Sequence, residues 1–284
     1  MRAIDMHVHP GTKEYLIDAG GQYMADAMVY FRKDKDRLVV TMEEMAAHYR
    51  RVDMMGVLLA WDAETNTGCP PVTNDFVADA VRKYPDTFIG FASVDPWKGE
   101  KAISELVRAV TVLGLRGLKC HPIAQGFFPN DRQFYPLWET CSQLKIPVLL
   151  HTGMTGVGAG VPGGNGLKLK YAQPIPYIDD IAADFPNLTI IGAHPSWPWQ
   201  EEMLAVAVHK TNVYIDLSGW SPKYFPPSLV QHANTILQDR ILFGSDYPFL
   251  TPERWMADFE KAGFKPEVHE KILLLNAKRL LGIP

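Results

Sequence analysis

Cysteine is scarce. Cys69, Cys120 and Cys141 are the only three in 284 residues, an odd number with no C-x-x-C spacing, which argues against both a disulfide framework and a cysteine-built zinc site and fits a reducing cytoplasm. Basic residues are not in excess: 28 Lys and Arg face 32 Asp and Glu, for a formal net charge of −4. No electrostatic footprint for nucleic acid or for an anionic membrane surface follows from that balance. The sequence also lacks an apolar run of the length a membrane span requires, and no basic segment followed by an apolar run stands at its start. Internal repeats, low-complexity tracts and linkers are absent as well.

What is present is apolar material for one large core. The chain is 47% hydrophobic and 21% charged, a size and composition at which α/β barrels form as single domains. Short apolar strands alternate with amphipathic stretches. A strand at Ile4 to His9 is followed by strands predicted at Val57 to Trp61, Phe88 to Val94, Gly117 to His121, Val148 to His151, Thr189 to His194, Val213 to Leu217 and Ile241 to Asp246. Several are near-continuous apolar runs, as parallel strands buried on both faces should be. Helical periodicity is clearest over Met42 to Met54, Lys101 to Val112, Phe134 to Leu144 and Ile178 to Phe185. Eight strands predict one α/β domain over 1–284, a (β/α)8 TIM barrel. The connections 10–41, 62–73, 122–131, 152–174 and 218–227 are long and all follow strands, on the face where such barrels build their active sites.

The first strand carries the leading motif, Asp5-Met6-His7-Val8-His9. A side-chain period of two sets His7 and His9 on one face, where two neutral imidazoles can converge on one ion. A histidine pair on a solvated strand is the bland alternative. The strand ends argue against it: the fifth ends in His151, the sixth in His194 and the eighth in Asp246, and residues at strand C-termini look into the mouth of a barrel. Gly192 and Gly244, two residues before His194 and Asp246, leave room beside them. Any one of these five polar residues alone reads as a hydrogen-bonded structural residue; five at equivalent strand ends do not.

With the segments Gly117-Leu118-Lys119-Cys120-His121-Pro122, His194-Pro195 and Ile241-Leu242-Phe243-Gly244-Ser245-Asp246-Tyr247-Pro248, the chain resembles the amidohydrolase superfamily. The similarity is to its amidohydrolase-related branch, with aminocarboxymuconate semialdehyde decarboxylase, resorcylate-type decarboxylases, a hydratase and various hydrolases. It runs from Ile4 to the segment 276–282. The resemblance implies that His7, His9, His151 and Asp246 bind one divalent metal, zinc first and manganese as the alternative, and that His194 stands beside the reacting centre. Asp246 would move a proton and His194 would stabilise an oxyanion or hold the substrate. A homodimer is implied by resemblance alone; Phe127 and Phe128, if exposed, would suit such an interface.

Lys119 and His121 share a face of the fourth strand. The resemblance implies that Lys119 contacts a substrate carboxylate or carbonyl, as in a branch with one metal, or is carboxylated and bridges two metals, as in other branches of the superfamily; a side chain snorkelling to the mouth is the bland reading. His121 reads equally as a substrate contact or a turn residue. Arg32, in the charge run 32–37, is a candidate carboxylate clamp, and Trp197 a candidate pocket wall. The glycine-rich stretch 153–166 reads as a flap, followed by Lys168, Lys170 and Tyr171 as contacts for an acidic substrate. His48, His209, His232 and His269 read as surface residues.

These features predict an enzyme acting on a small carboxylate or carbonyl compound, without nucleic-acid or membrane partners. Hydrolysis of a C–O, C–N or activated C–C bond by water activated at the metal is the first choice, non-oxidative decarboxylation of an aromatic or unsaturated acid the alternative. A catalytically dead scaffold is the reading from another class, and the full set of ligand candidates speaks against it.

Overall fold

The computed structural model describes residues 1–283. Eight parallel strands stand side by side in sequence order: β1 Ala3–Val8, β2 Met54–Leu59, β3 Phe88–Ser93, β4 Leu118–Cys120, β5 Val148–His151, β6 Ile190–Ala193, β7 Val213–Asp216 and β8 Ile241–Leu242. Backbone hydrogen bonds from Met6 N to Phe243 O, Asp246 N to His7 O and His9 N to Tyr247 O bring β8 back to β1, so the predicted (β/α)8 barrel is what forms. No described helix is long and apolar enough to cross a membrane.

Strand alternation divides the core into two layers. Ile4, Met6, Val57, Leu59, Ile89, Phe91, Leu149, Ile191 and Leu242 fill the barrel interior. Their strand neighbours Leu58, Phe88, Leu118, Cys120, Val148, Leu150, Ile190 and Phe243 face the helices, among them Trp138, Met203 and Trp255. Ala277 and Leu281 of the last helix, Asn276–Leu281, join the interior set and close the end opposite the strand C-termini. Burying these chains is the main driving force, at roughly 25 cal/mol per Å² of apolar surface.

β1 departs from simple alternation. Its register against β2 runs Asp5 to Gly56 and then Val8 to Leu58, so three steps on β1 match two on β2. That bulge changes which residues share a face. Ile4 and Met6 point inward, yet so do His7 and His9, while Asp5 points outward and accepts hydrogen bonds from the Tyr49 hydroxyl (2.9 Å), the Ser245 hydroxyl (2.5 Å) and the Ser245 N–H (2.8 Å). Asp5 thus ties the middle of β1 to the segment that follows β8.

Two boundaries move from their expected places. The helix that begins at the Thr41–Glu44 capping box ends at Arg51 rather than Met54, because Asp53 takes φ +55° and turns the chain into β2 three residues early. The connection 10–41 is also not irregular: it holds a π-helical turn Glu14–Ala19 and a helix Gly21–Tyr30, whose buried residues Tyr15, Leu16 and Met24 pack into the core.

Candidate active site

His7, His9, Lys119, His121, His151, His194 and Asp246 all line one cavity of about 360 Å³ at the C-terminal ends of the strands. Strand parity alone delivers Lys119, between outward Leu118 and Cys120, and His151, two residues beyond inward Leu149. It does not deliver His194, because the preceding Ala193 already faces inward. His194 turns into the cavity through a left-handed backbone, φ +75°, and Asp246 has φ +68°. Such conformations cost about 1 kcal/mol or more in a non-glycine residue and persist where surrounding structure imposes them.

The two predicted glycine gaps have different purposes. A Cβ on Gly244 would lie 2.2 Å from Asp216 Oδ1 and 3.0 Å from His7 Cβ, so its absence makes room for the site. A Cβ on Gly192 would instead meet the Met203 side chain at 2.7 Å. Gly192 therefore serves helix packing outside the barrel.

One oxygen of Asp246 gathers the first-strand pair: Oδ1 lies 3.5 Å from His7 Nε2 and 3.6 Å from His9 Nε2. A ligand atom from each of the three falls within 4.8 Å of the others. Lys119 Nζ stands 3.1 Å from the same His7 Nε2. The other nitrogen of His7 faces Asp216 Oδ2 at 2.7 Å and Ser218 Oγ at 3.0 Å.

A second chain of contacts sets the tautomer of His151. His194 Nδ1 lies 3.0 Å from the Ser218 carbonyl, which can only accept, so Nδ1 carries the hydrogen and Nε2 the lone pair. His194 Nε2 lies 3.0 Å from His151 Nδ1, so that nitrogen donates. What remains is the bare Nε2 of His151, buried without a partner. A buried lone pair left unmatched is costly, and it is the form in which imidazole binds a metal.

Burial shapes the charges. It pushes Asp246 up and Lys119 down from their ordinary pKa values, raises Asp216 to about 6, and lowers His194 to about 4. His7, His9, His121 and His151 are held well below the usual histidine value, first by desolvation and then by neighbouring cationic groups. The imidazoles are neutral at pH 7.

An amidohydrolase family model matches residues 4–283. The chain belongs to the amidohydrolase family. Among curated relatives it is 26% identical to gamma-resorcylate decarboxylase of Polaromonas sp. strain JS666, over 99% of this chain and 98% of that one. Among solved structures it is similar to an uncharacterised TIM-barrel protein from Bordetella bronchiseptica, at TM-score 0.83 and 26% identity over 100% and 99% of the two chains. It also shares its fold with a dihydroxybenzoic acid decarboxylase from Polaromonas sp. JS666 solved with manganese and 2-nitroresorcinol, at TM-score 0.68 and 21% identity over 99% and 97%.

In this amidohydrolase several expected contacts lie elsewhere. Arg32 is exposed and outside the cavity; the lining cation of that charge run is Lys33, whose Nζ donates to the Phe249 carbonyl at 2.6 Å. Trp197 does not line the cavity, but its ring lies 6.0 Å from Trp220, which does. Lys168, Lys170 and Tyr171 are outside the lining, with the Lys170 ammonium 5.1 Å from the Phe128 ring. Phe127 is buried against Phe134 and Trp138, so it is no interface residue. His209 is exposed and His48, His232 and His269 are partly buried.

The glycine-rich stretch does cover the site: Met154, Thr155, Gly156 and Val157 line it. His121 lies under this flap. Its Nδ1 accepts from Ala124 N at 3.1 Å, so Nε2 donates to Thr155 Oγ1 at 3.2 Å, while its ring stacks 3.9 Å from that of His151. Tyr15, stacked on His9 at 4.5 Å, and Trp220 complete the walls. Sequence reading passed over Asp216, although it ends the strand Val213-Tyr214-Ile215-Asp216 as His151 ends β5.

Proposed function

We propose that this amidohydrolase is a divalent-metal-dependent, non-oxidative decarboxylase of small planar carboxylic acids, aromatic or conjugated. The observation that carries the reading is Asp246: a part-buried carboxyl whose Oδ1 faces two neutral imidazoles while its Oδ2 lies near Gly219. One oxygen is free to hold a proton while the other stands with the two imidazoles that would hold a metal. The similarity to decarboxylases over nearly the whole chain favours this reaction over hydrolysis, the first choice from sequence alone.

The residues fit a metal. His7, His9 and Asp246 present converging ligand atoms, and His151 adds a buried lone pair that nothing among the described residues satisfies. Three imidazoles and a carboxylate suit zinc or manganese. When bound, such an ion would supply positive charge that fixes the oxygens of an acidic substrate.

The chain's own groups would then do the rest. Asp216 and His194 hold the ligand imidazoles in the required tautomers. Lys119, an ammonium buried beside His7, would attract the substrate carboxylate. Tyr15, Phe31, Trp61, Trp220, Tyr224 and Phe249 line a slot for a flat ring and exclude water. Asp246 would give its proton to the ring carbon that bears the carboxylate; the C–C bond then breaks, its electron pair restores the ring, and carbon dioxide leaves. Solvent reprotonates Asp246, so the sum is acid to arene plus carbon dioxide.

The test is a panel of hydroxybenzoic and unsaturated acids offered to metal-loaded protein, with product mass and released carbon dioxide as readouts. Loss of carbon dioxide, abolished by metal removal, is the expected result. Products that have gained water would return the reading to hydrolysis.

A further inference from the structure

Among the described residues, Lys33 is a cation without an anion. It follows the exposed Arg32, whose φ of +52° lets the chain turn, and its side chain leans into the cavity, where its one hydrogen bond goes to the Phe249 carbonyl at 2.6 Å. The charged group that reaches it is another cation, Arg254, which is itself paired with Asp258 at 3.0 Å. An ammonium has three donors; two of Lys33's remain for a ligand.

The cavity's charge inventory gives that lone cation a purpose. Among its lining residues, Asp246 is the only carboxylate, Lys119 and Lys33 are the two ammoniums, and the histidines are neutral. Lys119 stands among the imidazoles at the inner end. Lys33 belongs to a different wall: Phe249, which holds it, lies on the turn beyond Asp246, with Phe249 N bonded to Asp246 O at 3.1 Å. Aromatic side chains line the same cavity. A half-buried ammonium facing apolar surface is poorly solvated and binds a carboxylate more strongly than an exposed one would.

We infer that Lys33 is a second carboxylate-recognition residue, so that the preferred substrate is a planar dicarboxylic acid: one carboxylate at the imidazole end, where it is lost, and one retained on Lys33. The inference rests on the decarboxylase reading for the fate of the first carboxylate, but its recognition component is independent of turnover.

The experiment is calorimetric binding of benzoate and of benzene-1,3- and benzene-1,4-dicarboxylate to the metal-loaded protein, wild type, Lys33→Met and Lys33→Arg. At least one dicarboxylate should bind the wild type about tenfold tighter than benzoate, the size of one charge-assisted contact. Lys33→Met should bring the two within about twofold, and Lys33→Arg should restore part of the preference. Thermal melting of each variant shows that it is folded. Equal affinity for mono- and dicarboxylates in the wild type overturns the assignment, as does a preference that survives in Lys33→Met. A Lys33-dependent preference, with no carbon dioxide released from the panel of hydroxybenzoic and unsaturated acids, would overturn the decarboxylase reading and leave Lys33 as the anion site. Binding of none of the acids would overturn both.

Discussion

Asp216 Oδ2 lies 2.7 Å from His7 Nδ1, with both side chains fully buried. A carboxylate can only accept, so it keeps the hydrogen on Nδ1 and presents the Nε2 lone pair to the cavity, where Asp246 Oδ1 and Lys119 Nζ meet it. Ser218 reinforces the pair by donating to Asp216 Oδ2 at 2.9 Å. Asp216→Asn should therefore weaken metal binding about 10- to 100-fold, the usual effect of losing a ligand's outer partner. Competition against a chromophoric chelator measures it, and unchanged affinity would remove Asp216 from this role.

Gly244 and Gly192 make a paired prediction. Gly244→Ala places a methyl group 2.2 Å from Asp216 Oδ1. It should cost about 1–3 kcal/mol of stability and disrupt metal binding as well. Gly192→Ala meets the Sδ and Cε atoms of Met203, at 2.8 and 2.7 Å, the end of an unbranched and adaptable side chain. It should leave metal affinity unchanged. Urea denaturation and metal titration of the two variants separate the effects.

His194 has both ring nitrogens engaged, with Ser218 O and His151 Nδ1, and its pKa is pushed down to about 4. With its N–H on the Ser218 carbonyl, we propose that it positions His151 rather than stabilising an oxyanion or holding the substrate, the roles the resemblance implies. Its effect runs through His151, so His194→Ala should lower metal affinity about tenfold or more. Full metal affinity with a selective loss of turnover would restore the oxyanion role.

The buried site also fixes a pH dependence for the metal-free protein. His7, His9, His121, His151 and His194 have pKa values below the ordinary 6.5; each contributes stability that is present above 6.5 and lost as pH falls through its folded value. Asp5, Asp216 and Asp246 are raised, and act oppositely: their contribution is present below the ordinary 3.8 and lost as pH rises through the folded values, about 7 for Asp5 and about 6 for Asp216. Five groups against three leave the unfolded chain binding more protons between these limits, so stability should fall on acidification from pH 6.5 towards 4. Urea midpoints across that range check the sign; a midpoint that rises on acidification would contradict it.

The sequence makes the ligand candidates legible for a simple reason: apolar strands that end in His151 and Asp246 leave few places for those side chains except the barrel mouth. His7 and His9 share a face as their spacing requires, but the bulge that separates Asp5 from them depends on pairing with β2 and has no local signature. His194 stands out as a residue, whereas its role depends on which nitrogen of His151 holds a hydrogen. Arg32 and Lys33 are indistinguishable in a charge run until the backbone at Arg32 turns one out and the other in. Asp216 obeys the same strand-end rule as His151, and is legible once that rule is applied to every strand.

The account rests on a single divalent ion held by His7, His9, His151 and Asp246, with Lys119 left free for substrate. Metal content per chain, by elemental mass spectrometry on reconstituted wild type and His9→Ala, tests this most directly. About one equivalent in the wild type, lost in the variant, is the predicted result. About two equivalents would point to a carboxylated Lys119 bridging a binuclear centre, and no bound metal would contradict the account outright.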